Sequence, residues 1–263
     1  MTTSQLPALK VVLVDVNRAV TDAWEAVFAD VPNVEIVRGS ITARRTDAWV
    51  TPTNSLGRMD GGVDAAVNRH FRGRIQALVQ DEIAKRYGGT MPVGAATCVP
   101  TGGLRPRFLI STPTMVQSAQ DISDTLNVAL ACAAAFQAVH MQNAKEPGSI
   151  ESLALPGLGA ATGRVPPRVC ANLMWTAFTL FSEYVFRDYD TLRTAVLSQL
   201  GGHDLEGEEP VRVSVPKGLD AQPFVVGPNA NWRRCHSGEM TSSVRVEGAP
   251  DKMGGTPSNE EPP

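Results

Sequence analysis

Residues 10–16 read KVVLVDV, with apolar, mostly β-branched residues at consecutive rather than alternate positions. A strand with one wet face alternates, whereas a continuous apolar run of this length is the pattern of a buried strand. Asn17 bounds the run and is placed to cap a helix over residues 18–29, where Trp24, Val27 and Phe28 recur at helical spacing. The same alternation continues along the chain. Further strands are expected at 34–41, 47–53, 95–99, 107–113 and 149–156. Helices are expected from about Val63, over 74–87 with Gly88 and Gly89 as the stop, and over the alanine-rich 123–141 with Ser123 or Asp121 as cap. A last clear helix opens at Pro166 and Pro167 and runs through Phe186. Strands that alternate with helices predict an α/β fold of three layers, with helices on both faces of a mostly parallel sheet.

The bulk numbers leave room for one such domain. Of 263 residues, 43% are hydrophobic and 19% charged, enough apolar material for a sizeable core. After about residue 200 the periodicity fades and Gly, Pro, Ser and Glu become frequent. This predicts a domain over 1–200 and a largely disordered tail over 201–263, with 211–215 and 222–226 as short strands or segments that dock a protein partner. The net charge of -3 supplies no basic field for general nucleic-acid binding. Cys98, Cys132, Cys170 and Cys235 form no CxxC or Cys/His pattern, so a metal site is not expected; three of them lie in apolar segments and are expected as free, buried thiols in a reducing, cytoplasmic setting. No run of about 18 apolar residues occurs, so no membrane span is expected.

Two loops carry the candidate chemistry. Residues 157–163 lie between a buried strand and a helix start, with glycine at 157, 159 and 163. Glycines let a backbone approach an anion closely, and the following helix end favours negative charge. A tight turn with no ligand has the same spacing. The order of residues is neither the dinucleotide fingerprint nor a P-loop. Residues 54–64, NSLGRMDGGVD, follow a second buried strand. Asp60 and Asp64 can grip a sugar hydroxyl or orient a water, or they serve only the turn and the first helical turn. Both loops sit at carboxyl ends of strands, where open α/β sheets bind ligands.

Other residues read more plainly. His70, His140, His203 and His236 form no motif and are expected at the surface or at helix ends. Arg44 and Arg45 read as a solvated turn. Trp24, Trp49 and Trp175 read as core aromatics, and Trp232 beside two arginines can dock the tail.

At the two loops the sequence resembles the macro domain family, over about residues 10–186, and most nearly its bacterial and phage-like branch. The carrying segments are VEIVRGSITARRTDAWVTPTNSLGRMDGGVDAAV and LALPGLGAATGRVPPRVCANLMWTAF, with STPTMVQSAQDISDT between them. The resemblance implies a three-layer α/β/α domain with ADP-ribose across the top of the sheet and no cofactor. It places the adenine near Asp15, Ser40 and Ile41, and the distal ribose on Asn54. Gly61, Gly62 and Val63 would pass close to the ribose and diphosphate. The segment Gly157, Leu158, Gly159, Ala160, Ala161, Thr162, Gly163 and Arg164 would wrap the diphosphate. Asp64 matches the aspartate that orients or activates water in hydrolytic members, with Asn54 as its partner in catalysis. Ser40 stands where the family has an adenine-binding aspartate. Thr51 replaces the first Asn of its NAAN strand motif, and Ala160, Ala161 and Arg164 depart from its second loop. Three functions follow as expectations: hydrolysis of an ADP-ribosyl linkage, non-catalytic reading of ADP-ribose, or binding of another nucleotide in the same groove.

Overall fold

The computed structural model describes residues 9–103, 105–182, 185–200, 224–226, 232–236 and 239–244. Its main sheet has six strands: β1 (Lys10–Asp15), β2 (Val34–Arg38), β3 (Ala48–Thr51), β4 (Thr97–Pro100), β5 (Phe108–Ser111) and β6 (Ser152–Leu155). They lie in the order β2-β1-β6-β3-β5-β4. All neighbours are parallel except β4, which pairs antiparallel with β5 at the edge.

The uninterrupted apolar strands have a direct cause. Val11 and Leu13 of β1 join one core with Ala48, Val50, Leu153 and Leu155. Val12 and Val14 join the opposite core with Trp49, Leu109 and Ala154. Successive side chains of a strand point to opposite faces, and both faces are covered. The first core is closed by α1 (Arg18–Phe28), α4 (Asn127–Lys145), α5 (Pro167–Phe181) and α6 (Tyr189–Leu200). The second is closed by α2 (Gly62–His70) and α3 (Arg74–Tyr87). This is the expected α/β/α sandwich with a mixed, mostly parallel sheet.

Helix α4 is the innermost. Buried residues occur all around it, and its centre is Ala131, Cys132, Ala133, Ala134 and Ala135. A helix enclosed on all sides has no reason to be amphipathic, and methyl side chains let α5 approach closely. Asn17 caps α1 as expected, its side chain accepting from the Ala19 amide at 3.0 Å. Gly88 ends α3 in the left-handed conformation.

Several expectations are corrected. β2 stops at Arg38, because the Ser40 hydroxyl accepts from the Thr42 amide and starts a 3-10 turn over Ile41–Ala43. Neither Ser123 nor Asp121 caps α4, which begins after Leu126; Asp121 instead holds the Ser123 amide and hydroxyl. α5 ends at Phe181, and α6, not foreseen, follows it with Asp188 accepting from the Thr191 amide at 2.8 Å. His140 is buried within α4, one ring nitrogen 2.8 Å from the Ser182 carbonyl, rather than at the surface. His70 does end a helix.

Beyond residue 200, β7 (Phe224–Val226), β8 (Trp232–His236) and β9 (Glu239–Val244) form an antiparallel sheet in that order. Residues 211–215, His203 and the final segment fall outside the described residues.

Candidate ligand cleft

Five parallel strands end on one side of the sheet, and their trailing loops enclose a cleft of about 400 Å3. β1 contributes Val14, Asp15 and Val16; the turn after β2 contributes Gly39, Ser40 and Ile41. The loop after β3 contributes Pro52, Asn54, Arg58, Asp60, Gly61, Gly62, Val63 and Asp64. The loop after β6 contributes Pro156, Gly157, Gly159, Ala161, Thr162 and Gly163, and the segment after β5 adds Thr114, Met115, Ser118 and Ala119.

Most of the residues singled out from sequence therefore meet at one place. Three do not line it. Leu158 is buried in the core below, Ala160 packs against that core, and Arg164 is exposed, 3.5 Å from Asp121 in an ion pair.

The glycine-rich loop after β6 is held from below. The Gly157 amide donates to Asp15 Oδ2 at 3.1 Å, while Asp15 Oδ1 accepts from the Asn17 amide at 2.8 Å. A Cβ on Gly157 would stand 2.8 Å from that Asp15 oxygen, and one on Gly163 would stand 2.7 Å from the Gly159 carbonyl. Only glycine fits such approaches. Under the loop, the Cys170 thiol donates to the Leu158 carbonyl at 3.2 Å. Burial first, and Asp15 second, push that thiol well above its usual range. Among the described residues, the backbone amides from Leu158 to Gly163 donate to no protein group. Pro166 and Pro167 open α5, so its first turn lacks two N–H groups and the loop itself supplies the donors.

Opposite this loop stands the start of α2. Gly61 caps it with no side-chain bond, which leaves its first-turn amides free, as helix geometry requires. A Cβ on Gly62 would lie 3.9 Å from Thr162 Oγ1, so the two loops face each other across a narrow slot.

Asn54 organises the wall. Its Oδ1 accepts from the Leu56 and Arg58 amides, and its Nδ2 donates to Ser118 at 2.8 Å. An isolated parallel bridge joins Asn54 to Met115. Ser40 is engaged with Thr42, hydroxyl to hydroxyl at 2.7 Å.

Asp64 lies in the first turn of α2 and is half-buried. The Thr51 hydroxyl at the end of β3 donates to its Oδ1. Removal from water pushes the Asp64 carboxyl up from 3.8 to about 7; the Thr51 bond opposes this and nearby Asp60 adds to it. Thr51→Val removes the opposing bond. The Asp64 carboxyl carbon, followed by NMR, is expected to titrate higher in this variant and to return near its original midpoint in Thr51→Ser. An unchanged midpoint in Thr51→Val would show that the bond does not matter.

Neither the pairing of Thr51 with Asp64 nor the place of Thr114 and Ser118 in the cleft follows from the local sequence. The available signal was positional: β5 is another parallel strand whose carboxyl end opens on the same side.

The macro domain family profile matches residues 50–174. A macro domain-containing protein of Streptomyces nogalater is 31% identical over 163 residues, 60% of this chain and 86% of the relative. The chain belongs to the macro domain family. An uncharacterized Aquifex aeolicus protein is 32% identical over 142 residues, 54% of this chain and 78% of its own length. Among solved structures, the macrodomain of Mycobacterium tuberculosis DarG aligns at 22% identity and TM-score 0.45, covering 56% of this chain and 90% of its own. An Oceanobacillus iheyensis macrodomain with ADP aligns at 20% identity and TM-score 0.44, covering 61% and 87%. In this macro domain, none of the described helices is long and apolar enough to cross a membrane.

Proposed function

We propose that the cleft binds ADP-ribose and that the protein hydrolyses an ADP-ribosyl linkage. The observation that carries the reading is the pairing of two amide-rich features across one slot. The loop amides from Leu158 to Gly163 lack protein partners among the described residues, and the first turn of α2 faces them. Such donors suit a diphosphate without any net positive charge on the protein. The resemblance at these loops supplies the identity of the ligand. The adenosine end then lies by Asp15, Ser40 and Ile41, and the distal ribose by Asn54 and Asp64.

The chemistry follows from Asp64. Water attacks the anomeric carbon of the distal ribose, and the bond from that carbon to the substituent breaks. The substituent leaves with the bonding pair, and Asp64 takes the proton of the water. A carboxyl with a midpoint near 7 is matched to such a transfer at neutral pH. The rate is expected to rise with pH through about 7, as the base ionises. Bound diphosphate moves that midpoint upward in the complex, since like charge disfavours the carboxylate.

Isothermal titration calorimetry with ADP-ribose, and with AMP as control, tests the binding half. Micromolar or tighter binding of ADP-ribose, with AMP much weaker, is the expected result. Equal affinities would assign the cleft to a mononucleotide. Release of ADP-ribose from ADP-ribosylated substrates tests the catalytic half. Tight binding with no release across side-chain linkages would leave the protein as a reader.

A further inference from the structure

A second concavity, of about 660 Å3, opens towards the amino-terminal ends of β3 and β5, away from the cleft. It is lined by Arg44, Arg45, Arg105, His70, Trp49 and the 3-10 turn. In the sequence, Arg44 and Arg45 read as a solvated turn. The structure gives them a more definite setting. Trp49 is 1% exposed, and its indole N–H has no acceptor among the described residues. Arg44 Nε is likewise buried without an acceptor. A buried donor left without an acceptor is costly, and such a group calls for an explanation. Two of them belong to residues that line the same basic concavity.

The remaining geometry favours an anion. One Arg105 nitrogen donates to the Arg45 carbonyl at 3.3 Å, which seats its guanidinium beside Arg45. Another stands 3.9 Å from Asp47, too long for a strong pair. Asp47 is itself occupied, accepting from the Ser152 hydroxyl and amide. His70 packs its ring 5.0 Å from Trp49, centroid to centroid, and fixes the indole in place. Three guanidiniums therefore surround one concavity, and the carboxylate beside them, Asp47, is held by Ser152 and Glu151.

We propose that this concavity is a second anion site, separate from the cleft, and that it takes a phosphate group. The guanidiniums of Arg44, Arg45 and Arg105 that line it hold the phosphate, and the buried Trp49 indole behind them senses its charge. A tetrahedral oxyanion accepts hydrogen bonds from several directions at once, whereas a planar carboxylate accepts largely in its own plane. Guanidinium forks match phosphate geometry well. The inference does not depend on what the cleft binds.

The test is an NMR titration of the full-length, 15N-labelled chain with inorganic phosphate. Sodium chloride at matched ionic strength and sodium acetate are the controls. The indole N–H of Trp49 reports this site, and the Gly159 amide reports the cleft. The indole is assigned by its loss in Trp49→Phe or, should that variant not fold, by its proximity to the His70 ring protons. The expected result is a saturable shift of the Trp49 indole with phosphate alone. Arg45→Gln and Arg105→Gln are each expected to weaken it about tenfold while leaving the Gly159 response unchanged. An unmoved indole, a linear response without saturation, an equal response to acetate, or unchanged affinity in both arginine variants would overturn the proposal.

Discussion

Asp64→Asn is expected to cut hydrolysis at least a hundredfold and, at the same time, to raise the melting temperature above pH 7. The first effect is the loss of a base that contributes about 10²–10⁴ in rate. The second follows from the raised carboxyl. The unfolded chain releases the Asp64 proton near pH 4, whereas the folded protein holds it to about pH 7. Between those limits the folded state binds more protons than the unfolded one, so stability falls as pH rises through that window and stays reduced above it. Full ionisation in the folded state costs about 2–4 kcal/mol, the lower figure allowing for partial exposure of the carboxyl. Asparagine has the same shape, still accepts from Thr51 and carries no charge. At pH 8 the gain corresponds to roughly 5–10 °C in the melting midpoint. Melting curves of both proteins at pH 5 and pH 8 decide it, since the difference should be small at pH 5 and should widen at pH 8. A variant that melts below the wild type at pH 8 would mean that Asp64 is ionised at little cost, and it would remove the physical basis for its role as a tuned base.

Gly62→Val is expected to abolish ADP-ribose binding, with a loss of about a hundredfold or more in affinity, while the protein still folds. Gly62 holds φ at 51°, a conformation that strains a β-branched residue by about 1–3 kcal/mol. That strain is small beside the total stability of a domain of this size. The binding effect is larger because of where the side chain goes. Even a single Cβ would reach 3.9 Å from Thr162 Oγ1, and the two valine methyls would fill the slot between the loops. A diphosphate threaded through that slot would have no path. Calorimetry, paired with a melting curve to establish folding, separates the outcomes. A folded variant with unchanged affinity would show that the ligand runs outside the slot.

Much of this architecture was legible in the sequence because it is written in local patterns. β1 declares burial on both faces through consecutive valines, and Asn17 and Gly88 mark helix ends by their own chemistry. The two loops stood out because glycines cluster after buried strands. Features were lost where the signal is a single cap or a distant contact. α6 carried a readable signature, with Asp188 three residues before Thr191 and buried Leu192, Val196 and Leu200 at helical spacing, but the long apolar helix before it obscured the break. The start of α4 was misplaced because Asp121 spends its side chain on Ser123 rather than on a helix amide. Ser118 meets Asn54 across 64 residues of sequence, and nothing local announces that pairing. Arg164 looked like a phosphate ligand by position, yet its guanidinium is drawn towards Asp121. Thr51 read as a missing asparagine; only the fold shows which carboxylate its hydroxyl meets.

The thiol beneath the glycine-rich loop gives this protein a built-in clock. Cys170 is fully buried, bonded to the Leu158 carbonyl, and held protonated by its surroundings. An alkylating reagent attacks the thiolate, so it can reach this sulfur only when the loop lifts away and the group meets water. The labelling rate of Cys170 therefore counts openings of the packing around it, the loop included, and its slowing with added ligand measures how firmly an occupant holds that region shut.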